Sequence, residues 1–157
     1  QEETICRQTL LYPTICESNM YKTNKENIQS IIDYDTMIYS PEVTVIRNDK
    51  NKLLKKKSFT IDVSSSPAVD NRNNFQNAAF IMERRIRRII FLAIDKGVDV
   101  LILGAFGCGL LKNDPSIISQ IFKKILINDG LKNFFKVVVF SIYKSNENFI
   151  VFNDTFK

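Results

Sequence analysis

The chain contains no histidine. That absence removes Ser-His and Cys-His nucleophilic sites, together with the side chain that most often ligates metals. Any acid–base chemistry falls to carboxylates, lysine or tyrosine. Cysteine is scarce too: Cys6, Cys16 and Cys108 are odd in number and too widely spaced for a zinc set. They favour a reduced, cytoplasmic setting, and the sequence calls for no metal and no cofactor. No apolar run approaches the ~20 residues of a membrane span, and no signal peptide is visible. The first residue is Gln rather than Met, so the expectation is a chain from which upstream sequence is missing.

What is present fits one globular domain. At 157 residues, 45% hydrophobic and 25% charged, the expectation is a single domain over residues 1–157 with a substantial core. The net charge of +5 is concentrated at Lys55, Lys56 and Lys57 and at Arg84, Arg85, Arg87 and Arg88. The lysines read as a hairpin loop and the arginines as the exposed face of a helix. Basic surface of this kind carries no recognition chemistry by itself, so nucleic acid is not the expected partner.

Periodicity and punctuation place the elements. Residues 1–11 read as a helix ended by Tyr12-Pro13, followed by a polar stretch over 17–27 and a short apolar turn near 28–32. Residues 43–47 and 59–63 read as strands of a hairpin by their β-branched content, with a loop from Ser64 onward. Residues 75–96 form the clearest helix, with Met82, Ile86, Ile89, Ile90 and Ala93 as its stripe and Gly97 as its stop. A strand over 98–103 follows. Asp114 caps a further helix with Pro115 at its first position, and Ile118, Ile121, Phe122 and Ile125 face the core. Residues 137–142 read as a fully buried strand by their unbroken apolar run, and 146–156 as a last helix. Strands alternating with helices at these lengths require parallel pairing with crossovers, hence an α/β sandwich.

Between the strand at 98–103 and the helix after Asp114 lies Gly104-Ala105-Phe106-Gly107-Cys108-Gly109. A Gly-rich turn at such a junction lets the main chain approach a ligand and gathers N–H groups that suit a phosphate. The spacing is G-x-x-G-x-G, not the G-x-G-x-x-G of dinucleotide-binding folds, and no Gly-Lys-Ser/Thr closes a Walker loop. A tight connection with no ligand remains the alternative for the turn alone.

Read together, Gln1-Glu2-Glu3-Thr4-Ile5-Cys6-Arg7, Leu11-Tyr12-Pro13, Ile38-Tyr39-Ser40-Pro41-Glu42-Val43, Ile46-Arg47-Asn48-Asp49, Pro67-Ala68-Val69, Arg85-Ile86-Arg87-Arg88-Ile89 and the run from Gly104 to Pro115 resemble the microbial-type poly(ADP-ribose) glycohydrolases. The resemblance implies a macrodomain-like three-layer α/β/α sandwich with a mixed sheet, lacking its N-terminal strands and the triple-glycine loop that precedes Gln-Glu-Glu in the family. It implies Glu3 as the acid that protonates the leaving ribose oxygen and then activates water, with Glu2 holding ribose hydroxyls. It also implies that Gln1, Gly104, Ala105, Phe106, Gly107, Cys108, Gly109 and Leu111 line the ADP-ribose. Leu111 stands where many members carry Phe, and leucine cannot stack on a ribose as a ring does.

Independently of the resemblance, glycoside hydrolysis ordinarily uses two carboxylates across the bond. Consecutive helical residues do not face each other, so Glu2 and Glu3 cannot form that opposed pair. One can serve as acid and then base while the other positions the sugar. The leading expectation is hydrolysis of ribose glycosidic bonds in poly(ADP-ribose) or ADP-ribosylated proteins. An ADP-ribose-binding module without catalysis is the alternative, and a glutamate pair at the very start of the polypeptide implies weak activity for the chain alone.

Overall fold

The computed structural model describes residues 2–26, 36–54, 58–143 and 147–157. The chain divides into two compact units, Gln1–Pro67 and Ala68–Lys157. The apolar turn expected near 28–32, the lysines at 55–57 and Gln1 lie outside the described residues.

The first unit opens with helix α1, Glu2–Gln8. It stops three residues short of the expected end because Thr9 diverts the chain: its hydroxyl donates to the Ile5 carbonyl at 2.8 Å and accepts the Leu11 N–H at 3.2 Å. The backbone then pairs sideways, Leu10 N–H with the Thr44 carbonyl and Ile46 N–H with that of Gln8. Tyr12-Pro13 opens a helix rather than ending one. Helix α2, Tyr12–Ile15, carries Pro13 in its first turn, where a missing N–H costs nothing. The polar stretch over 17–27 holds helix α3, Asn19–Glu26. Its N-terminal part buries Met20 but no apolar stripe, so the sequence had no period to show there.

Strands β1, Ile38–Val45, and β2, Phe59–Ser65, form the expected antiparallel hairpin, in register from Ile38 opposite Ser65 to Val45 opposite Phe59. Both run longer than their β-branched cores, and Ser64 and Ser65 belong to the strand. The register breaks between Ser40 and Val43, around Pro41 and a left-handed Glu42 at φ 53°. Asp62 secures this bulge by accepting the Glu42 N–H at 2.8 Å and the Tyr39 hydroxyl. Leu11, Ile15 and Val43 make the unit's small core.

The second unit is built on helix α4, Ala78–Asp95. Gly97, at φ 65°, ends it with Val98 N–H returning to the Ala93 carbonyl. Of the expected stripe, Met82, Ile86, Ile90 and Ala93 are buried and Ile89 is half-buried, while Ile81 joins the buried face. Arg85 corrects the picture of an exposed arginine face. It follows Met82 by three residues and Ile81 by four, which places it inside the apolar stripe, and it is fully buried. Arg88 is exposed, while Arg87 bridges Glu83 at 3.3 Å and Asp129 at 2.7 Å.

Strand β3, Val100–Leu103, pairs in parallel with β4, Val137–Phe140. Helix α5, Pro115–Lys123, lies between them in sequence and continues as a π-helical turn, Lys124–Asn128. The Asp114 carboxylate caps α5 by accepting the Ser116 N–H at 2.7 Å. Helix α6, Glu147–Phe156, closes the chain against α5 through a 2.9 Å hydrogen bond between Ser119 and Thr155. Phe122 of α5, Phe140 of β4, and Phe152 and Phe156 of α6 stack with ring centroids 4.8–6.3 Å apart.

The apolar run at β4 is not fully buried. Leu101, Leu103, Val138 and Phe140 pack on the helices, while Val100 and Ile102 are 52% and 68% exposed and Val137 and Val139 47% and 42%. An unbroken apolar run leads one to expect both faces covered, and here one is. The architecture is mixed α/β, with parallel and antiparallel strands in separate sheets among the described residues.

Phe122→Ala removes the ring on which the α5–β4–α6 packing closes. It should lower stability by about 3–5 kcal/mol, read from urea unfolding followed by far-UV circular dichroism, against about 1 kcal/mol for the cap variant Asp114→Ala.

Candidate functional site

The Gly-rich turn leaves β3 at Gly104 and is shaped by a residue that sequence reading treated only as the approach to a helix. Asn113 is buried, and its Nδ2 donates to the Val69 carbonyl at 2.8 Å and to the Gly107 carbonyl at 3.1 Å. Its own backbone N–H reaches that same Gly107 oxygen at 3.1 Å. Two donors of one residue thus converge on one carbonyl and draw the turn closed.

Gly107 must lack a side chain for this to happen. A Cβ there would lie 2.6 Å from Asn113 Nδ2, 2.9 Å from the Ala68 Cβ and 3.2 Å from the Met82 Cε, on a backbone at φ 75°. Gly109 is different: a Cβ on it meets nothing within 4 Å. The far end of the turn is held by Asn71, whose N–H donates to the Leu111 carbonyl at 2.9 Å. Among the described residues the N–H groups of Phe106, Gly107 and Gly109 find no acceptor, while those of Cys108 and Lys112 go to Ala105 and Gly109. Such a row of unsatisfied amides is suited to an anion. The N-terminus of α5 adds less than expected, because the Asp114 carboxylate already occupies it.

Cys108 sits in this turn with its thiol pushed up to about 12 by burial and, secondarily, by the charge of Asp114. It is therefore a neutral packing group at working pH, not a nucleophile.

In the other unit, Glu2 and Glu3 occupy the first turn of α1 with different surroundings. Glu2 is half-buried and accepts the Tyr21 hydroxyl on Oε2 at 2.9 Å. Glu3 is exposed, and its side chain makes no hydrogen bond or ion pair with any described residue. The Tyr21 phenol is raised to about 12, first by burial, then by the hydrogen bond and charge of Glu2, against an opposing hydrogen bond from Ser65. One turn further along α1, burial and the charges of Glu2 and Glu3 push the Cys6 thiol up as well. Tyr21 and Ser65 were invisible as site residues because they lie on α3 and β2, distant in sequence from Glu2. Among the described residues no cluster of three or more cysteines and carboxylates could hold a metal ion.

Comparison with known proteins gives this geometry its context. Residues 1–48 match the family model of the microbial-type poly(ADP-ribose) glycohydrolase catalytic domain. No curated protein matches significantly. Among solved structures, poly(ADP-ribose) glycohydrolase from Thermomonospora curvata is similar at TM-score 0.89 and 26% identity, over 99% of this chain and 60% of that one. The same enzyme bound to the inhibitor ADP-HPD gives 0.88 and 26%, over 98% of this chain and 61% of that one. The Deinococcus radiodurans glycohydrolase in complex with ADP-ribose gives 0.87 and 25%, over 100% and 66% respectively. The chain spans about 60% of the length of the Thermomonospora enzyme. By fold and by family match it resembles the microbial-type poly(ADP-ribose) glycohydrolases, and their macrodomain-like α/β fold is its own.

The two glycines separate by experiment. Gly107→Ala should lower stability by about 1–3 kcal/mol, through the left-handed backbone and the overlap with Asn113, whereas Gly109→Ala should change it by less than about 1 kcal/mol. Equal midpoints in parallel urea titrations would remove the packing role assigned to Gly107.

Proposed function

We propose that this chain carries the catalytic glutamates and the diphosphate-binding turn of a poly(ADP-ribose) glycohydrolase-type enzyme, acting on the polymer or on ADP-ribosylated proteins. The observation that carries the reading is the asymmetry within α1: Glu2 is tied to Tyr21 at 2.9 Å, and its neighbour Glu3 is exposed. A carboxylate already held by a donor is suited to hold and orient hydroxyls. An unencumbered one is suited to exchange protons with a substrate.

On this reading Glu3, protonated, gives its proton to the ribose oxygen leaving the anomeric carbon, and the bond between that carbon and oxygen breaks through an oxocarbenium-like state. Glu3, now a carboxylate, takes a proton from water as the water oxygen bonds to the anomeric carbon. Water is consumed, ADP-ribose is released, and Glu3 returns to its starting state. Glu2 holds ribose hydroxyls throughout. Gly104, Ala105, Phe106, Gly107, Cys108, Gly109 and Leu111 line the diphosphate and distal ribose. The unsatisfied amides of Phe106, Gly107 and Gly109 support that assignment. So does the similarity to glycohydrolase structures that hold ADP-ribose and ADP-HPD.

The test pairs release with binding. Glu3→Gln should abolish ADP-ribose release from the polymer while leaving ADP-ribose affinity, by calorimetry, within about tenfold. Glu2→Gln should be milder in chemistry and worse in binding. Gly109→Val, placed in open space where it cannot disturb the packing, should weaken ADP-ribose binding by at least about tenfold, or ~1.4 kcal/mol. Binding of ADP-ribose without release, unaffected by Glu3→Gln, would establish the chain as a binding module instead.

A further inference from the structure

Glu2 is not the end of its hydrogen-bond chain. The Tyr21 hydroxyl that donates to its Oε2 is itself engaged by Ser65, a buried residue at the end of β2 that pairs across the hairpin with Ile38. Three elements, α1, α3 and β2, therefore converge on one carboxylate. A phenol has one proton to give, and with Oε2 at 2.9 Å that proton goes to Glu2. We propose that Tyr21 is a positioning residue for Glu2, fixing its carboxylate through Oε2 so that Oε1 is presented to the substrate ribose.

The inference rests on the assignment of Glu2 to the ribose hydroxyls and adds a cause for it. A carboxylate has about four lone-pair sites on its two oxygens, and a free glutamate side chain spreads them over many rotamers. A donor on Oε2 selects one. With Oε2 occupied by that donor, Oε1 is the oxygen left to accept a hydroxyl proton. The other titratable group held close to the pair, the Cys6 thiol, is pushed up and stays neutral, leaving Tyr21 as the donor that organises Glu2. No equivalent donor holds Glu3 among the described residues. The difference between the two neighbours thus has two sources: α1 points them in different directions, and α3 supplies a donor to Glu2 alone.

The decisive experiment is a double-mutant cycle on Tyr21→Phe and Glu2→Gln, read by ADP-ribose calorimetry on the full chain and by release from the polymer. Tyr21→Phe keeps the ring and removes the hydroxyl. It should weaken ADP-ribose binding by about fivefold to tenfold in the native background and by less than about twofold in the Glu2→Gln background. Ultraviolet titration should show the Tyr21 phenolate forming near pH 12 in the native chain and at a lower pH once Glu2 is Gln, with the larger contribution of burial left in place. Ser65→Ala gives a second, milder variant with the same pattern, should Tyr21→Phe lose its fold. Equal effects of Tyr21→Phe in both backgrounds would reduce Tyr21 to a structural contact and overturn the inference. A Glu2→Gln variant that binds and releases like the native chain would overturn the functional assignment of Glu2 itself, whatever Tyr21 does.

Discussion

Asn113 holds the second unit together where it is least regular. Its amide spans from the Val69 carbonyl to the Gly107 carbonyl, and its backbone N–H returns to Gly107, so a stretch without repeating hydrogen bonds acquires three at one point. Buried backbone carbonyls need partners, and a turn between a strand and a helix cannot supply them from its own ladder. Once Asn113 fills that need, Gly107 is forced to be glycine by contact with Asn113, Ala68 and Met82. Asp114 follows directly and starts α5 with its own carboxylate. The position of α5, and of the Phe122 ring cluster it carries, follows from where that turn ends.

The same economy is visible at the other end of the chain, on a smaller scale. α1 has seven residues and no fully buried one, too short to be stable on its own. What fixes it is outside it: Thr9 turning the backbone, the Gln8 carbonyl accepting N–H groups from Ile46 and Arg47, and Tyr21 reaching Glu2 from α3. A short helix tied in this way fixes the backbone from which both glutamates project. One glutamate gains its direction from a hydrogen bond, and the other keeps its freedom.

Much of this was legible in the sequence, and the reasons differ by element. The stripe of α4, the Gly97 stop and the Asp114-Pro115 start were readable because period and cap are local chemistry that the structure had no reason to override. Arg85 reads as exposed by residue type but is buried by position: the three- and four-residue spacing to Met82 and Ile81 puts it on the buried face. α3 left no trace because, among its described side chains at 19–23, Met20 alone is buried. At β4 the apolar run correctly gave a strand but not its environment, since covering both faces takes partners that one run of residues does not encode. The glycines of the turn were recognised as a set, yet their tasks diverge. Gly107 is dictated by packing and Gly109 is open, a difference visible only once Asn113, Ala68 and Met82 are in place around them. Tyr21 is the plainest case of what spacing cannot show, because nothing between residues 2 and 21 marks them as partners.

The missing histidine finds its counterpart in how the remaining titratable groups are tuned. Around the glutamate pair, the Tyr21 phenol is raised to about 12 and the Cys6 thiol is raised as well, and in the Gly-rich turn the Cys108 thiol reaches about 12. Each is driven by burial first and by a neighbouring carboxylate second. All three therefore stay protonated across the neutral range and do not exchange protons there, and Tyr21 and Cys108 donate hydrogen bonds, to Glu2 and to the Phe106 carbonyl. Composition alone left carboxylate, lysine and tyrosine as possible acids and bases. The structure removes Tyr21 from that set and turns it into a fixed donor. Proton traffic beside α1 then narrows to its carboxylates, and of those only Glu3 stands without a partner among the described residues. A single-carboxylate cycle of acid and then base is the chemistry such an arrangement permits.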